Sequence, residues 1–451
     1  MARLFAYLLF LFLCAAPARA DTDILSLSRQ LFTVQGEAKR VIAKTIADTN
    51  DKQLIPTLVL AMRWTRNNVF VAEALSKLAG EPLHDWHDAY AWQERNPQIA
   101  SHPSFRDIKY WLLGNTDPKF LDLFRPPHDN HEAMKIRLEE IIWGGALFDK
   151  IPSLDQPKMI SAEEAEYLKS DDLVFGVAIN GDVRAFPLRI MGWHEMLNDV
   201  IGGVPITLAY CTLCSAGILF DTRLKQDDEP FIFGSTGLLY RSNKLMFDRK
   251  TNSVWNQFTG EPVIGPLASS GLKLKIRPII TTTWAQWKRE HPTSKVLSLD
   301  TGYFRNYDSG HVYREYFASP ALMFPAAVGD ESRLVRKDYV FGIRQFGMAK
   351  AWPIEAFKNR PVINDRIGDK AIVLIGDAKT RTVRSYQRQP EQKFFIQADG
   401  ELYSSDSSWE VTEEYLMSED GSVRLPRIAG HLSYWFAWDN YLGSKSELFT
   451  D

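Results

Sequence analysis

Cys211 and Cys214 have the clearest capacity for chemistry in this sequence. They form a Cys-x-x-Cys motif, and the only other cysteine of the chain is Cys14. Two thiolates at this spacing can bind a soft metal ion such as Zn(II) or Cu(I), form a local disulfide, or act as a redox-active dithiol. The motif alone does not distinguish these three chemistries, so all three stay open at this point.

His194 and Glu195 lie upstream of this motif and could complete a metal site. Apolar positions at helical spacing predict a helix over 188–200, which turns His194 toward the core. The glycines at 202 and 203 then lead into a predicted strand at 205–210 that ends at the cysteines. We therefore predict His194 as the third metal ligand and Glu195 as a fourth ligand or general base, a set typical of a catalytic site with an open position. A hydrogen-bonded core histidine is the alternative for His194.

Four further polar residues are candidates for binding a substrate. Tyr240, Arg241 and Asn243 lie in a polar, glycine-containing segment at 235–243, and Arg305 lies in a similar segment at 301–307. Arg241 and Asn243 could orient a substrate, and Tyr240 could donate a hydrogen bond to it. For 235–243 a surface hairpin is the alternative, and it is slightly favoured.

The first 20 residues have the pattern of an export signal. Arg3 precedes an apolar run at 4–16, and Ala18-Arg19-Ala20 supplies small residues at the positions that a signal peptidase recognises. The sequence predicts cleavage after Ala20 and a periplasmic or secreted protein, where disulfides are common. No later run approaches about 18 apolar residues, so no transmembrane segment is expected in the mature chain.

The charge balance does not favour nucleic-acid binding. Removing residues 1–20 takes two arginines from 53 basic residues and leaves 51, against 56 acidic residues. A net negative chain without runs of like charge opposes binding to phosphate backbones.

The chain changes character near residue 150. Residues 21–145 show apolar positions at helical spacing, with Gly80 as one helix stop, and the short paired segments predict a helical domain of stacked HEAT-like hairpins. Such a domain is a possible surface for a protein partner. Beyond it, short β-branched runs and the turn signal Asn180-Gly181 predict strands.

The β-rich part contains an internal repeat. Residues 172–208 match 338–374 at a constant offset of 166, which predicts an α+β protein with two copies of one module at 150–315 and 325–451. His194 corresponds to Arg360 and Cys211 to Asp377 in the second copy. We therefore expect the first copy to carry the site and the second to be degenerate.

The chain also resembles a bacterial family of exported proteins with a domain of unknown function. The resemblance rests on Trp193-His194-Glu195, on 210–215 with its two cysteines, and on the pattern at 237–243, and it covers about 145–350. The family pattern usually has Pro where this chain has Thr212. The resemblance implies that the histidine, the glutamate and the two cysteines act as one unit, and it implies no particular reaction.

The sequence thus predicts an exported protein with a zinc or copper site, and it leaves open whether the protein is an enzyme. A non-enzymatic envelope binding module with a structural disulfide, or a thiol-disulfide redox protein, is the alternative.

Overall fold

A computed structural model describes residues 18–66, 68–124, 134–225, 228–329 and 331–450. The chain divides into two compact units. One contains the residues up to Ala89 together with Asn96–Leu112, and the other contains Tyr90–Arg95 together with Leu113 and all that follows it. Most of the proposed export signal, at 1–17, and Cys14 lie outside the described residues.

The N-terminal part of the chain is helical. The apolar faces of its helices are buried, so α1 (Ala18–Thr33) packs against α2 (Gly36–Asp48), and α4 (Val69–Ala79) packs against both α2 and α3 (Ile55–Trp64). The α4 helix begins after Asn68, whose side chain accepts a hydrogen bond from the Phe70 amide, and it ends at Gly80 with φ of 83°. The helices are α1 (Ala18–Thr33), α2 (Gly36–Asp48), α3 (Ile55–Trp64), α4 (Val69–Ala79), α5 (Trp86–Arg95), α6 (Ser104–Thr116) and α7 (Phe120–Phe124).

Strands dominate from residue 141 onward, so the chain is a mixed α+β protein. The first segment contains β1 (Ile141–Trp143), β2 (Leu154–Asp155), β3 (Met159–Ser161), β4 (Leu173–Ile179), β5 (Asp182–Pro187), α8 (Leu188–His194), β6 (Met196–Ile201), β7 (Val204–Cys211), β8 (Ala216–Asp221), β9 (Phe233–Tyr240), β10 (Asn243–Asp248), β11 (Val254–Asn256), β12 (Glu261–Ile264), β13 (Lys275–Arg277), β14 (Ile280–Thr283), α9 (Trp284–Glu290), β15 (Lys295–Leu297) and α10 (Arg314–Ala318). These strands build three sheets with the orders β1-β9-β10-β11-β12, β13-β8-β7-β6-β2 and β14-β4-β5-β15-β3.

The second segment contains β16 (Tyr339–Gln345), β17 (Met348–Pro353), β18 (Val362–Ile367), β19 (Lys370–Asp377), β20 (Thr382–Gln387), β21 (Phe394–Ile396), β22 (Leu402–Ser404), β23 (Ser407–Val411), β24 (Tyr415–Ser418), β25 (Arg424–Pro426), β26 (His431–Tyr434), α11 (Trp435–Leu442) and β27 (Glu447–Leu448). Its sheets have the orders β26-β16-β17-β27, β18-β19-β20 and β21-β22-β23-β24-β25.

The strand bounds of the two segments have the same offset as the predicted repeat. The bounds of β4 to β8 differ from those of β16 to β20 by 166 residues at both ends of every strand. Equivalent glycines also face equivalent tryptophans. A Cβ on Gly176 would lie 2.1 Å from the Trp287 ring, and a Cβ on Gly342 would lie 1.9 Å from the Trp438 ring. These glycines let a buried indole pack directly on the strand backbone.

The predicted helix over 188–200 is wrong in its second half. The α8 helix ends at His194, Glu195 has a left-handed backbone with φ of 57°, and β6 begins at Met196. The glycines at 202 and 203, both with positive φ, form the turn between β6 and β7. Ladder pairing with β7 therefore overrides the helical spacing of the apolar residues in this segment.

Among the helices that the described residues form, none has both the length and the hydropathy needed to cross a bilayer.

Candidate active site around the cysteine pair

The two cysteines lie at the turn between two antiparallel strands. Cys211 ends β7 and pairs with Ala216, the first residue of β8. The Cys214 amide donates to the Cys211 carbonyl oxygen at 3.2 Å and closes the turn. The Cα atoms of the two cysteines are 5.3 Å apart, within the range that a disulfide spans, and the sulfurs are bonded as a disulfide.

The two cysteines have different surroundings. Both are buried, with Cys214 completely enclosed and Cys211 3% exposed, and only Cys211 lines a cavity. The Ser242 carbonyl oxygen lies 2.7 Å from Cys214 Sγ and 3.8 Å from Cys211 Sγ. If the disulfide were reduced, the Cys214 thiol could donate to this carbonyl, so an acceptor for the reduced form is already in place.

The Ser242 carbonyl is positioned by the β9–β10 hairpin. Arg241 and Ser242 form its turn with φ of 45° and 63°, and both Ser242 and Asn243 are buried. Asn243 Nδ2 donates to the Arg241 and Ala437 carbonyl oxygens. The favoured prediction of a surface hairpin for this segment is therefore wrong, because the tip of the hairpin packs over the cysteine turn.

Glu195 is held against the cysteine turn from several sides. Its amide donates to the Met191 carbonyl and its carbonyl accepts from the Tyr210 amide, both at 2.7 Å. Its carboxylate accepts a hydrogen bond from the Thr212 hydroxyl at 3.3 Å and one from the Ser235 hydroxyl at 3.5 Å. A left-handed backbone at a non-glycine residue costs about 1–3 kcal/mol, and such strain is common at functional sites.

Lys244 supplies the counter-charge to Glu195. Its Nζ donates to Glu195 Oε2 at 2.6 Å, and the exposed fractions of the Lys244 and Glu195 side chains are 3% and 12%. Burial lowers the pKa of Lys244 from its ordinary value, although the Glu195 carboxylate opposes that shift. The Glu195–Lys244 pair is thus nearly desolvated and contains both a proton donor and a proton acceptor. Lys244, the donor, follows Ser242 by two residues in the chain.

A cavity of about 620 Å³ brings these groups together. Cys211, Glu195 and Lys244 all line it, as do Trp193 and Arg305. The Arg305 guanidinium lies over the Trp193 ring, 5.9 Å from its centroid. The cavity therefore combines one cysteine of the disulfide, a buried ion pair, an aromatic wall and a cationic group, with enough room for a side chain or small molecule.

His194 uses both ring nitrogens within the protein. It is fully buried, with Nδ1 2.8 Å from the Pro152 carbonyl oxygen and Nε2 2.5 Å from the Tyr307 hydroxyl. Because a carbonyl only accepts, Nδ1 carries the proton and Nε2 accepts from Tyr307. Burial is the main cause that lowers the pKa of His194, which favours this neutral ring. Metal binding by His194 would require one of the two hydrogen bonds to break.

A family model described as "Protein of unknown function (DUF3179)" matches residues 148–445. The chain belongs to this family. The DUF3179 region contains every residue of the cavity wall named above, and most of the helical N-terminal part precedes it. No curated protein and no solved structure matches the chain.

Only some of the site residues predicted from the sequence line the cavity of the DUF3179 region. Glu195, Cys211 and Arg305 line the cavity, whereas Arg241 instead binds the fully buried Glu140, with Nε 2.6 Å from Oε2. Tyr240, on the same hairpin, lies with its ring edge to face against Tyr441.

The predicted metal ligands are likewise not gathered around one point. Within the described part of the chain, the one group of at least three His, Cys, Asp or Glu ligand atoms within 4.8 Å of one another is Glu290, His291 and Glu413. Arg384 already pairs with both of those carboxylates, so the charge that would attract a cation is neutralised there.

Sequence reasoning missed Lys244 as a site residue. The available signal was a lysine within a short strand whose other positions are mostly apolar, since a buried lysine requires a partner. Nothing in that pattern identifies Glu195 as the partner, because 49 residues separate the two.

Proposed function

We propose that this protein carries out thiol-disulfide exchange with a dithiol substrate through Cys211 and Cys214. The observation that carries the proposal is that only one cysteine of the disulfide, Cys211, lines a cavity whose wall also holds a buried Glu195–Lys244 pair. A first cysteine at a cavity wall and a second cysteine that is fully buried suit sequential attack and resolution. A disulfide that served only as a structural clip would need neither the cavity nor the ion pair.

The exchange consists of two substitutions at sulfur. A substrate thiolate attacks Cys211 Sγ, the Cys211–Cys214 bond breaks, and its electron pair goes to Cys214 Sγ, which takes up a proton. The second substrate thiolate then attacks the substrate sulfur of the mixed disulfide and releases Cys211 as a thiolate. The substrate dithiol is oxidised by two electrons to a disulfide, and the protein disulfide is reduced to two thiols.

The surrounding groups support each of these steps. Lys244 places a positive charge in the wall of the cavity that Cys211 also lines, and a cation in such a cavity favours a thiolate over a thiol. Glu195 can accept a proton from an incoming thiol, since it shares the same cavity. The Ser242 carbonyl oxygen, 2.7 Å from Cys214 Sγ, accepts a hydrogen bond from the protonated leaving thiol.

Trapping of a mixed disulfide tests the proposal. In a Cys214→Ala variant, Cys211 has no internal partner, so it should form a stable mixed disulfide with a model peptide whose single cysteine is activated as a mixed disulfide with thionitrobenzoate, which departs as the free thiolate. The matched Cys211→Ala variant leaves the buried Cys214 and should react at least about tenfold more slowly. Intact mass measures both adducts. Equal reaction rates of the two variants would contradict the assigned roles.

A zinc or copper site at the cysteines remains a prediction. Reduction of the disulfide would free two soft thiolate ligands, with Glu195 in the same cavity as an oxygen donor. Native mass spectrometry of the reduced protein with Zn(II) distinguishes the two proposals. A one-to-one zinc adduct that is lost in a Cys211→Ser, Cys214→Ser double variant would favour the metal site.

We also infer the setting and organisation of the protein. A disulfide fits an exported protein, so we expect residues 1–20 to be removed and the mature chain to act in the periplasm or outside the cell. The shared offset of 166 residues in five strands supports two copies of one module, of which the first is active. We expect the helical N-terminal part to be HEAT-like and to bind a protein partner.

A further inference from the structure

A second cavity, of about 600 Å³, lies in the β-rich unit on a different set of strands. Its wall includes Arg277 at the end of β13, Arg344 near the end of β16, and Asn180 in the β4–β5 turn. Lys275 on β13 and Arg427, just after β25, also line it. None of the residues that line this cavity belongs to the wall of the disulfide cavity.

Arg344 is the unusual member of this wall. Its guanidinium lies over the Phe258 ring, 4.3 Å from the centroid, so its position is fixed by an aromatic face. Nε and Nη2 are buried and have no hydrogen-bond acceptor. Burial lowers the pKa of Arg344 to about 10, so the group keeps its charge at neutral pH.

A second arginine has a donor without an acceptor. Arg277 Nη2 binds Asp221 Oδ2 at 2.7 Å, but Arg277 Nε is buried without an acceptor. In folded proteins buried donors of this kind are usually paired, and each one that is left unpaired calls for an explanation such as a missing ligand or water.

The charges around the cavity do not cancel. Lys273 pairs with Glu261, and Arg427 pairs with Glu413, which also binds Arg384. Within the described ranges, no carboxylate lies within 4.0 Å of a charged nitrogen of Arg344 or Lys275. The remaining lining carboxylate, Glu414, accepts a hydrogen bond from the Asn180 amide.

We propose that this cavity binds a small anionic ligand whose phosphate or carboxylate group is held by Arg344 and Lys275. The planar guanidinium matches both kinds of oxyanion, and the lysine adds a mobile positive charge at the rim. The proposal does not depend on the chemistry at Cys211, because the two cavities share no lining residue.

Inorganic phosphate is the probe for this site. Isothermal titration of the full-length oxidised protein with phosphate, at constant ionic strength kept with chloride, should give saturable one-to-one binding in the millimolar range or tighter. Malonate in a parallel titration reports whether a carboxylate serves as well. Binding by either anion supports the proposal, and heats from both anions no larger than those from added chloride would overturn it.

Two variants and one control locate the binding. Lys275→Gln changes an exposed side chain and should not affect folding, and Arg344→Lys keeps the charge but loses the planar set of donors. Each should weaken binding of the anion by about tenfold or more. Lys379→Gln, at an exposed lysine outside the cavity, should leave the affinity unchanged. If Lys275→Gln and Arg344→Lys both bind the anion as tightly as Lys379→Gln, the site assignment is wrong.

Discussion

Replacement of Lys244 by Met should destabilise the protein by leaving Glu195 without its cation. The two charged groups are 2.6 Å apart, and their side chains are 3% and 12% exposed. Removing one partner of a buried ion pair typically costs about 3–5 kcal/mol. Because Glu195 keeps slight exposure and accepts hydrogen bonds from the Thr212 and Ser235 hydroxyls, we expect the lower end, a loss of about 3 kcal/mol.

A second substitution should restore most of that loss. In the Lys244→Met, Glu195→Gln double variant no uncompensated charge remains, so its stability should return to within about 1 kcal/mol of wild type. Urea unfolding followed by tryptophan fluorescence measures all three proteins, since most of the thirteen tryptophans lie in the β-rich unit. Lys379→Met is a control at an exposed lysine and should change little. The reasoning would be refuted by a double variant no more stable than Lys244→Met.

Two further predictions concern groups outside the site. Gly176→Ala places a methyl group 2.1 Å from the buried Trp287 ring, and Gly342→Ala creates the same kind of clash at Trp438. Each variant should therefore lower the free energy of unfolding by at least about 2 kcal/mol, as measured by urea titration. An unchanged unfolding midpoint would count against this packing. Burial raises the pKa of Glu94 to about 8. Between about pH 4.3 and pH 8, Glu94 therefore keeps its proton in the folded protein, whereas the unfolded chain has lost it. The stability that this retained proton contributes is lost as the pH rises from about 4.3 to about 8. Glu94→Gln should therefore be more stable than wild type at pH 8 and should show less change in melting temperature between pH 5 and pH 8, whereas parallel pH profiles would show that Glu94 titrates normally.

Local patterns in the sequence predicted much of the β-rich part. Short β-branched runs and the Asn180-Gly181 turn predicted the β4–β5 hairpin, and the apolar run at 205–210 predicted β7. The second half of the predicted helix over 188–200 was wrong because the apolar spacing there fits a helix as well as a strand. Pairing of β6 with β7, a non-local interaction, decides the outcome.

The site was predictable in its parts and less so in its assembly. Residue types identified Cys211, Cys214 and Glu195, because few other residue types can perform such chemistry. The partner of each group depends on contacts between distant segments. His194 binds Tyr307 and Pro152, and Glu195 binds Lys244, none of which the spacing of the motif reveals.

The reduction potential of the Cys211–Cys214 disulfide tests the proposed chemistry most directly. Equilibration of the protein in buffers of defined dithiol-to-disulfide ratio, with acid quenching and thiol alkylation read by mass, gives the fraction reduced at each potential. Redox-active disulfides have potentials at or above about −270 mV, so we predict a value in that range for this pair. A potential below about −300 mV, as in disulfides that resist reduction, would contradict thiol-disulfide exchange as the function of this site.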